Sequence, residues 1–137
     1  PYAAGRAYTP PYAPAEALRA VEERPALRLR LRRNARRLYD GLRDAGFALG
    51  PEASPIVSVS MPGVEAAVQT WNRLLDAGVY VNLALPPATP GNRCLLRASV
   101  SAAHTPEQLD RAVDAFVAAG LDLAASGDDH PATLAAD

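Results

Sequence analysis

The sequence predicts an α/β fold of two layers: a small, mostly antiparallel sheet of three to four strands with helices packed on one face. Three observations lead there. Ile56-Val57-Ser58-Val59-Ser60-Met61 alternates apolar and polar residues between Pro55 and Pro62, the signature of a half-buried strand. Three longer stretches, around residues 27–42, 64–75 and 109–117, repeat apolar residues at steps of three and four, the period of a helix with one buried face. A strand–helix–strand unit followed by a returning strand then favours an antiparallel sheet over a parallel one. At 137 residues, 49% hydrophobic and 21% charged, the chain has the size and balance of one globular domain.

The elements follow in order. Residues 1–13, rich in Pro, Tyr and Ala, read as a connector, extended around Pro10-Pro11. Pro14 to Glu23 reads as a short helix with Leu18 and Val21 on one side. Pro25 suits the first turn of a second helix, where a missing N–H costs nothing. Leu27-Arg28-Leu29-Arg30-Leu31-Arg32 alternates like a strand, but Leu27, Leu31, Ala35, Leu38 and Leu42 keep a helical period over a stretch too long for a strand. Gly46 stops that helix. After the strand 56–61, Val64, Ala67, Val68, Trp71, Leu74 and Leu75 form an amphipathic helix ended by Gly78. Val79-Tyr80-Val81 is β-prone and reads as a second strand. The run from Pro86 to Asn92 is expected to be a stiff loop, neither helix nor strand, and Cys94 to Val100 returns as a third strand. Thr105-Pro106-Glu107-Gln108 opens a last helix with a capping box. Leu109, Ala112, Val113, Phe116 and Val117 are its buried stripe and Gly120 its end. The domain is thus expected over residues 14–125, with 126–137 a flexible tail.

Composition excludes several functions. A net charge of −1 argues against a nucleic-acid coat. A single cysteine, Cys94, allows no internal disulfide and no cysteine-based zinc site. No apolar run is long enough to span a membrane, and no signal peptide opens the chain, so no transmembrane segment and a cytoplasmic location are expected. All 14 basic residues are arginine, so chemistry that needs a lysine amine cannot happen on this chain alone. Nine arginines crowd residues 19–43. They could be a phosphate stripe or a solvated helix face. Tyr39 is the single aromatic among them, and the solvated face, without nucleic acid, is the expected reading.

Arg97 is the most informative residue. It is the only formal charge from Cys94 to Pro106, in the middle of a strand. A guanidinium set among apolar neighbours needs a partner, and its planar fork suits a carboxylate. That partner could be a ligand or an acid of this domain. The loop before the strand holds three prolines in five residues, Pro86-Pro87-Ala88-Thr89-Pro90. Such a loop keeps its shape at low entropic cost, which suits either a substrate-contacting backbone or a plain rigid turn. His104, beside a helix cap, is expected in a capping or surface role, Cys94 as a buried apolar residue, and no metal site is expected.

Together three stretches resemble the carboxy-terminal domain of the α-oxoamine synthases: Gly78-Val79-Tyr80-Val81-Asn82, Pro86-Pro87-Ala88-Thr89-Pro90, and Leu95 to Thr105 with its Arg97-Ala98-Ser99-Val100-Ser101 core. Glu23 to Gly50 and Ser54-Pro55-Ile56-Val57 resemble that family too, and the similarity covers about residues 6–120. In wording the motifs are nearest to bacterial serine palmitoyltransferases. The resemblance implies a pyridoxal-phosphate acyltransferase of the fold type I, class I/II aminotransferase superfamily, a homodimer that condenses an amino acid with an acyl-CoA or similar thioester and releases CO₂. Its active site lies between a large cofactor domain and this small one. The cofactor carries the hard chemistry. The family's cofactor-binding residues belong to the large domain, so the resemblance implies no catalytic, cofactor-binding or metal residue on this chain, no pyridoxal phosphate bound to it alone, and no activity by itself. Substrate binding would fall to Arg97, which holds the amino-acid carboxylate in the family, and to Pro86, Pro87, Ala88, Thr89 and Pro90. One departure stands out: where serine palmitoyltransferases usually carry an arginine before the Pro-Pro pair, this sequence has Leu85, which leaves the amino acid and acyl donor open. The alternative is a stand-alone α/β ligand- or partner-binding module without catalysis.

Overall fold

The structure, a computed structural model, describes residues 13–126. The expected connector over 1–13 and the tail over 126–137 lie, apart from their innermost residue, outside the described residues. The elements run α1 (Ala13–Glu23), α2 (Pro25–Asp44), β1 (Ile56–Met61), α3 (Val64–Asp76), β2 (Asn82–Ala84), a short 3-10 turn (Pro90–Asn92), β3 (Cys94–Ser99) and α4 (Pro106–Ser126). The expected α/β architecture holds. β3 is the central strand of a three-stranded sheet of order β1-β3-β2, antiparallel on both sides.

Register follows from alternation. Val57 stands opposite Ala98, Val59 opposite Leu96, and Leu83 opposite Leu96 from the other side. These side chains point to the inner face, where Val57, Val59, Leu96 and Ala98 are buried under Leu38 and Leu42 of α2, Leu74 of α3, and Leu109 and Phe116 of α4. Burying a large aliphatic or aromatic side chain of this kind stabilises by about 1.5–3 kcal/mol. Phe116 meets Phe47 edge to face, ring centres 5.7 Å apart. α2 and α4 approach so closely at Gly41 that a Cβ there would lie 2.8 Å from a methyl of Val113. Glycine is therefore required for packing although it weakens a helix interior.

Several boundaries differ from expectation. The second strand is Asn82–Ala84, not Val79–Val81. Val79 gives its N–H to Leu74 at 2.7 Å, and the Trp71 indole donates to the Val81 carbonyl at 2.9 Å, so this stretch is tied to α3 and pairing with β3 starts one residue later. Gly46 and Gly78 do end α2 and α3, with φ of 91° and 78°. Gly120 does not end α4, which continues to Ser126; it faces the Phe47 ring instead, and a Cβ there would lie 3.4 Å from the ring edge. Pro90–Asn92 forms a 3-10 turn inside what was expected to be pure loop, with Gly91 and Asn92 both at positive φ. The capping box is as expected: Gln108 donates its N–H to Thr105 Oγ1 at 3.2 Å, and Thr105 its N–H to Gln108 Oε1 at 2.9 Å. Among the described residues no helix is long and apolar enough to cross a membrane.

Candidate functional site

The helices cover one face of the sheet. The side chains that alternate outward remain uncovered among the described residues, and Arg97 is one of them. On β3 the inward residues Cys94, Leu96 and Ala98 are buried, while Arg97 and Ser99 are exposed. The expectation of a guanidinium among apolar neighbours is thus corrected: sequence neighbours in a strand point to opposite faces, and the leucine and alanine flanking Arg97 point into the core. The guanidinium has no acidic partner among the described residues. The three ion pairs there join Arg37 to Asp110 and Arg43 to Asp40 and Asp44. The reading in which an acid of this domain neutralises Arg97 finds no such acid among the described residues.

The register places two further polar residues beside it. Ser58 of β1 and Asn82 of β2 are the direct cross-strand partners of Arg97. Directly opposed residues share a face with Cβ atoms about 4.5–5.5 Å apart. Ser58, Arg97 and Asn82 therefore form one polar row across the open face, bounded by Ser60, Leu95 and Ala84 on one side and by Ile56 and Ser99 on the other. No hydrogen bond joins the three side chains to one another. A guanidinium, a carboxamide and a hydroxyl on one surface suit a carboxylate bearing further polar groups. Sequence reasoning missed Ser58 and Asn82, because only strand register makes them neighbours of Arg97.

The proline-rich segment leaves β2 just past Ala84, which pairs with Leu95, two residues from Arg97 and so about 7 Å along β3. The Pro86–Pro87 bond is cis. Pro87, Ala88 and Pro90 are exposed and Pro86 is half-buried. Thr89 turns inward, buried, with its hydroxyl donating to the Arg93 carbonyl, so that hydroxyl staples the loop to itself. Loop and guanidinium thus border the same end of the open face without a hydrogen bond between them.

His104 accepts the Ser101 N–H at its Nδ1, 2.9 Å away, which leaves the proton of the neutral ring on Nε2. It shapes the turn ahead of α4, in keeping with a capping role. The buried Asn34 fixes the same turn, donating to the carbonyls of Ser101 and His104, each at 2.9 Å. Cys94 is buried, as expected. A cavity of about 240 Å³ opens between residues 78–81, the end of β3 and α4, and contains neither Arg97 nor the proline loop.

The family model for aminotransferase class I and II matches residues 7–116, and the chain belongs to this family, on its α-oxoamine synthase side. The serine palmitoyltransferase of Caulobacter vibrioides is 61% identical over 107 residues, covering 78% of this chain and 26% of that protein. The 8-amino-7-oxononanoate synthase of Lysinibacillus sphaericus is 32% identical over 108 residues, covering 79% of this chain and 28% of that protein. A solved serine palmitoyltransferase from S. paucimobilis, with PLP and myriocin bound, superposes with a TM-score of 0.68 at 47% identity over 72% of this chain and 25% of that one. The chain spans about a quarter of the length of the curated relatives it matches.

Proposed function

We propose that this chain is the carboxy-terminal, substrate-binding domain of an α-oxoamine synthase that condenses an amino acid with an acyl-CoA or similar acyl thioester, in the manner of serine palmitoyltransferase. One observation carries the reading: Arg97 stands on an uncovered sheet face, with no acid of the described residues to neutralise it, in the motif where the resemblance puts a carboxylate-binding arginine. Two parallel N–H···O bonds from its fork hold and orient a carboxylate. Ser58 and Asn82 stand ready for the same ligand's remaining acceptors and donors. The Pro86–Pro90 loop, with Thr89 as its internal staple, borders the bound substrate. The greater identity to serine palmitoyltransferase than to 8-amino-7-oxononanoate synthase supports the first of these as the nearer model, while Leu85 leaves the choice of amino acid and acyl chain open.

The residues of this chain do not suit the pyridoxal phosphate of the complete enzyme: the sequence has no lysine amine to hold it. When bound, the cofactor supplies an electron sink. Its binding belongs to the remainder of a cytoplasmic, homodimeric protein, and this chain alone is catalytically silent. The test is Arg97→Ala and Arg97→Lys in the full-length enzyme. Both are expected to raise the amino-acid KM or abolish turnover, since lysine is a point charge and cannot present a two-pronged fork. Unchanged KM and kcat in Arg97→Ala would overturn the reading. Specific ligand binding by the isolated chain with Arg97 mutated would favour the stand-alone module instead.

A further inference from the structure

Charge along this chain is segregated. Residues 1–39 carry nine arginines against three glutamates, whereas residues 40–137 carry five arginines against twelve acids. The structure concentrates much of the positive half on one helix. α2 has two stripes at helical spacing. Ala35, Leu38 and Leu42 are buried on the core side, and the half-buried Leu31 continues their line. On the opposite side Leu29, Arg32, Arg33 and Arg36 follow the same three- and four-residue steps, flanked by Arg28 and Arg30. All six are exposed, and Leu29 keeps 62% of its surface.

Two other arginines of α2 are neutralised locally, Arg37 by Asp110 and Arg43 by Asp40 and Asp44. Arg28, Arg30, Arg32, Arg33 and Arg36 form no ion pair among the described residues. Five like charges along about 12 Å of helix repel one another, and an anionic surface that meets all of them relieves this.

We propose that this outer face of α2 docks on an anionic lipid bilayer. Leucine 29 sets the choice of partner. Its side chain stands at the amino-terminal end of the stripe, between Arg28 and Arg30 in sequence and one turn before Arg32 and Arg33, and the arginine stems can lie along apolar surface while their heads stay at phosphate level. An apolar residue bordered by arginines on a helix lying flat is the chemistry of an interface between headgroups and acyl chains. A nucleic acid would gain from stacking aromatics. The one aromatic nearby, Tyr39, is half-buried and its hydroxyl is bound to the Gly50 carbonyl at 2.7 Å. This inference is independent of the role of Arg97, which lies on the sheet.

The experiment is co-sedimentation of the whole 137-residue chain with vesicles of equal parts phosphatidylglycerol and phosphatidylcholine, beside vesicles of phosphatidylcholine alone. The chain is expected to pellet with the first and not the second, and to be released as salt rises above about 0.3 M. Arg32→Glu combined with Arg33→Glu and Arg36→Glu is expected to lower partitioning by about a hundredfold or more. Leu29→Ser, which keeps every charge, is expected to lower it several-fold. Both variants change exposed side chains only, and an unaltered thermal transition establishes that they fold. Failure to pellet with the anionic vesicles overturns the proposal. So does vesicle binding that Leu29→Ser leaves unchanged, or tighter retention on duplex DNA or RNA than on vesicles at equal salt.

Discussion

Asn34 reaches 70 residues along the chain to donate its side-chain amide to the carbonyl of His104 at 2.9 Å, and the same nitrogen serves Ser101. A helix residue thereby fixes the turn through which β3, with Arg97 on it, passes into α4. Asn34→Ala leaves two carbonyls without this donor in a partly buried place and is expected to destabilise the chain by about 1–3 kcal/mol. Asn34→Asp, which offers acceptors to acceptors, is expected to be worse. Denaturant unfolding of the three proteins checks both statements; equal midpoints would show the amide to be dispensable.

The Arg37–Asp110 pair ties α2 to α4 through two hydrogen bonds of 2.8 and 2.7 Å. The hydrogen bond from Arg37, reinforced by its charge, holds the Asp110 carboxyl below the usual carboxylate range. A lowered folded-state value means that the contribution is present above the unfolded value near about 3.9 and is lost as the pH falls through the folded one. Thermal melts are therefore expected to fall more between pH 5 and pH 2, taken as approximate limits, in the parent chain than in Asp110→Asn. The pair is exposed, so the difference is expected to be small and to shrink with salt.

On the sheet, Asn82 should reveal itself through binding. In the full-length enzyme Asn82→Leu and Ser58→Ala are each expected to raise the amino-acid KM by about five- to tenfold, the worth of one hydrogen bond, with kcat changed less. Steady-state kinetics with varied amino acid tests this. An unchanged KM in Asn82→Leu, alongside a damaged Arg97→Ala, would restrict carboxylate binding to the arginine.

Close packing at Gly41 makes a further prediction. Gly41→Leu must displace Val113, whose branched side chain has little rotamer freedom, and is expected to cost about 1–3 kcal/mol. Gly50→Ala, where a Cβ meets nothing within 4 Å, serves as the control and is expected to lie much nearer the parent in the same denaturant titration.

Much of this fold is legible in the sequence because its helices carry uninterrupted apolar stripes and its strand β1 is bracketed by prolines. The Leu27–Arg32 alternation is resolved correctly by the longer period around it. Two of the errors share one cause. Val79, Tyr80 and Val81 have strong β propensity, but bonds from α3 capture their backbone, and such tertiary competition leaves no local trace. Gly120 reads as a stop because glycine often ends helices, whereas here it makes room for Phe47, a residue far away in sequence. The same limit applies to the site. Arg97 stands out by composition, but its row with Ser58 and Asn82 exists only through register, and Thr89 gives no sign in sequence that its hydroxyl turns inward.

The brevity of β2 has a bearing on self-association. This outermost strand is only three residues long and runs at once into Pro86 and Pro87, which have no N–H to offer an incoming backbone. A foreign chain seeking to extend the sheet finds almost no ladder to climb, so fibril growth by edge recruitment is blocked at this side of the molecule.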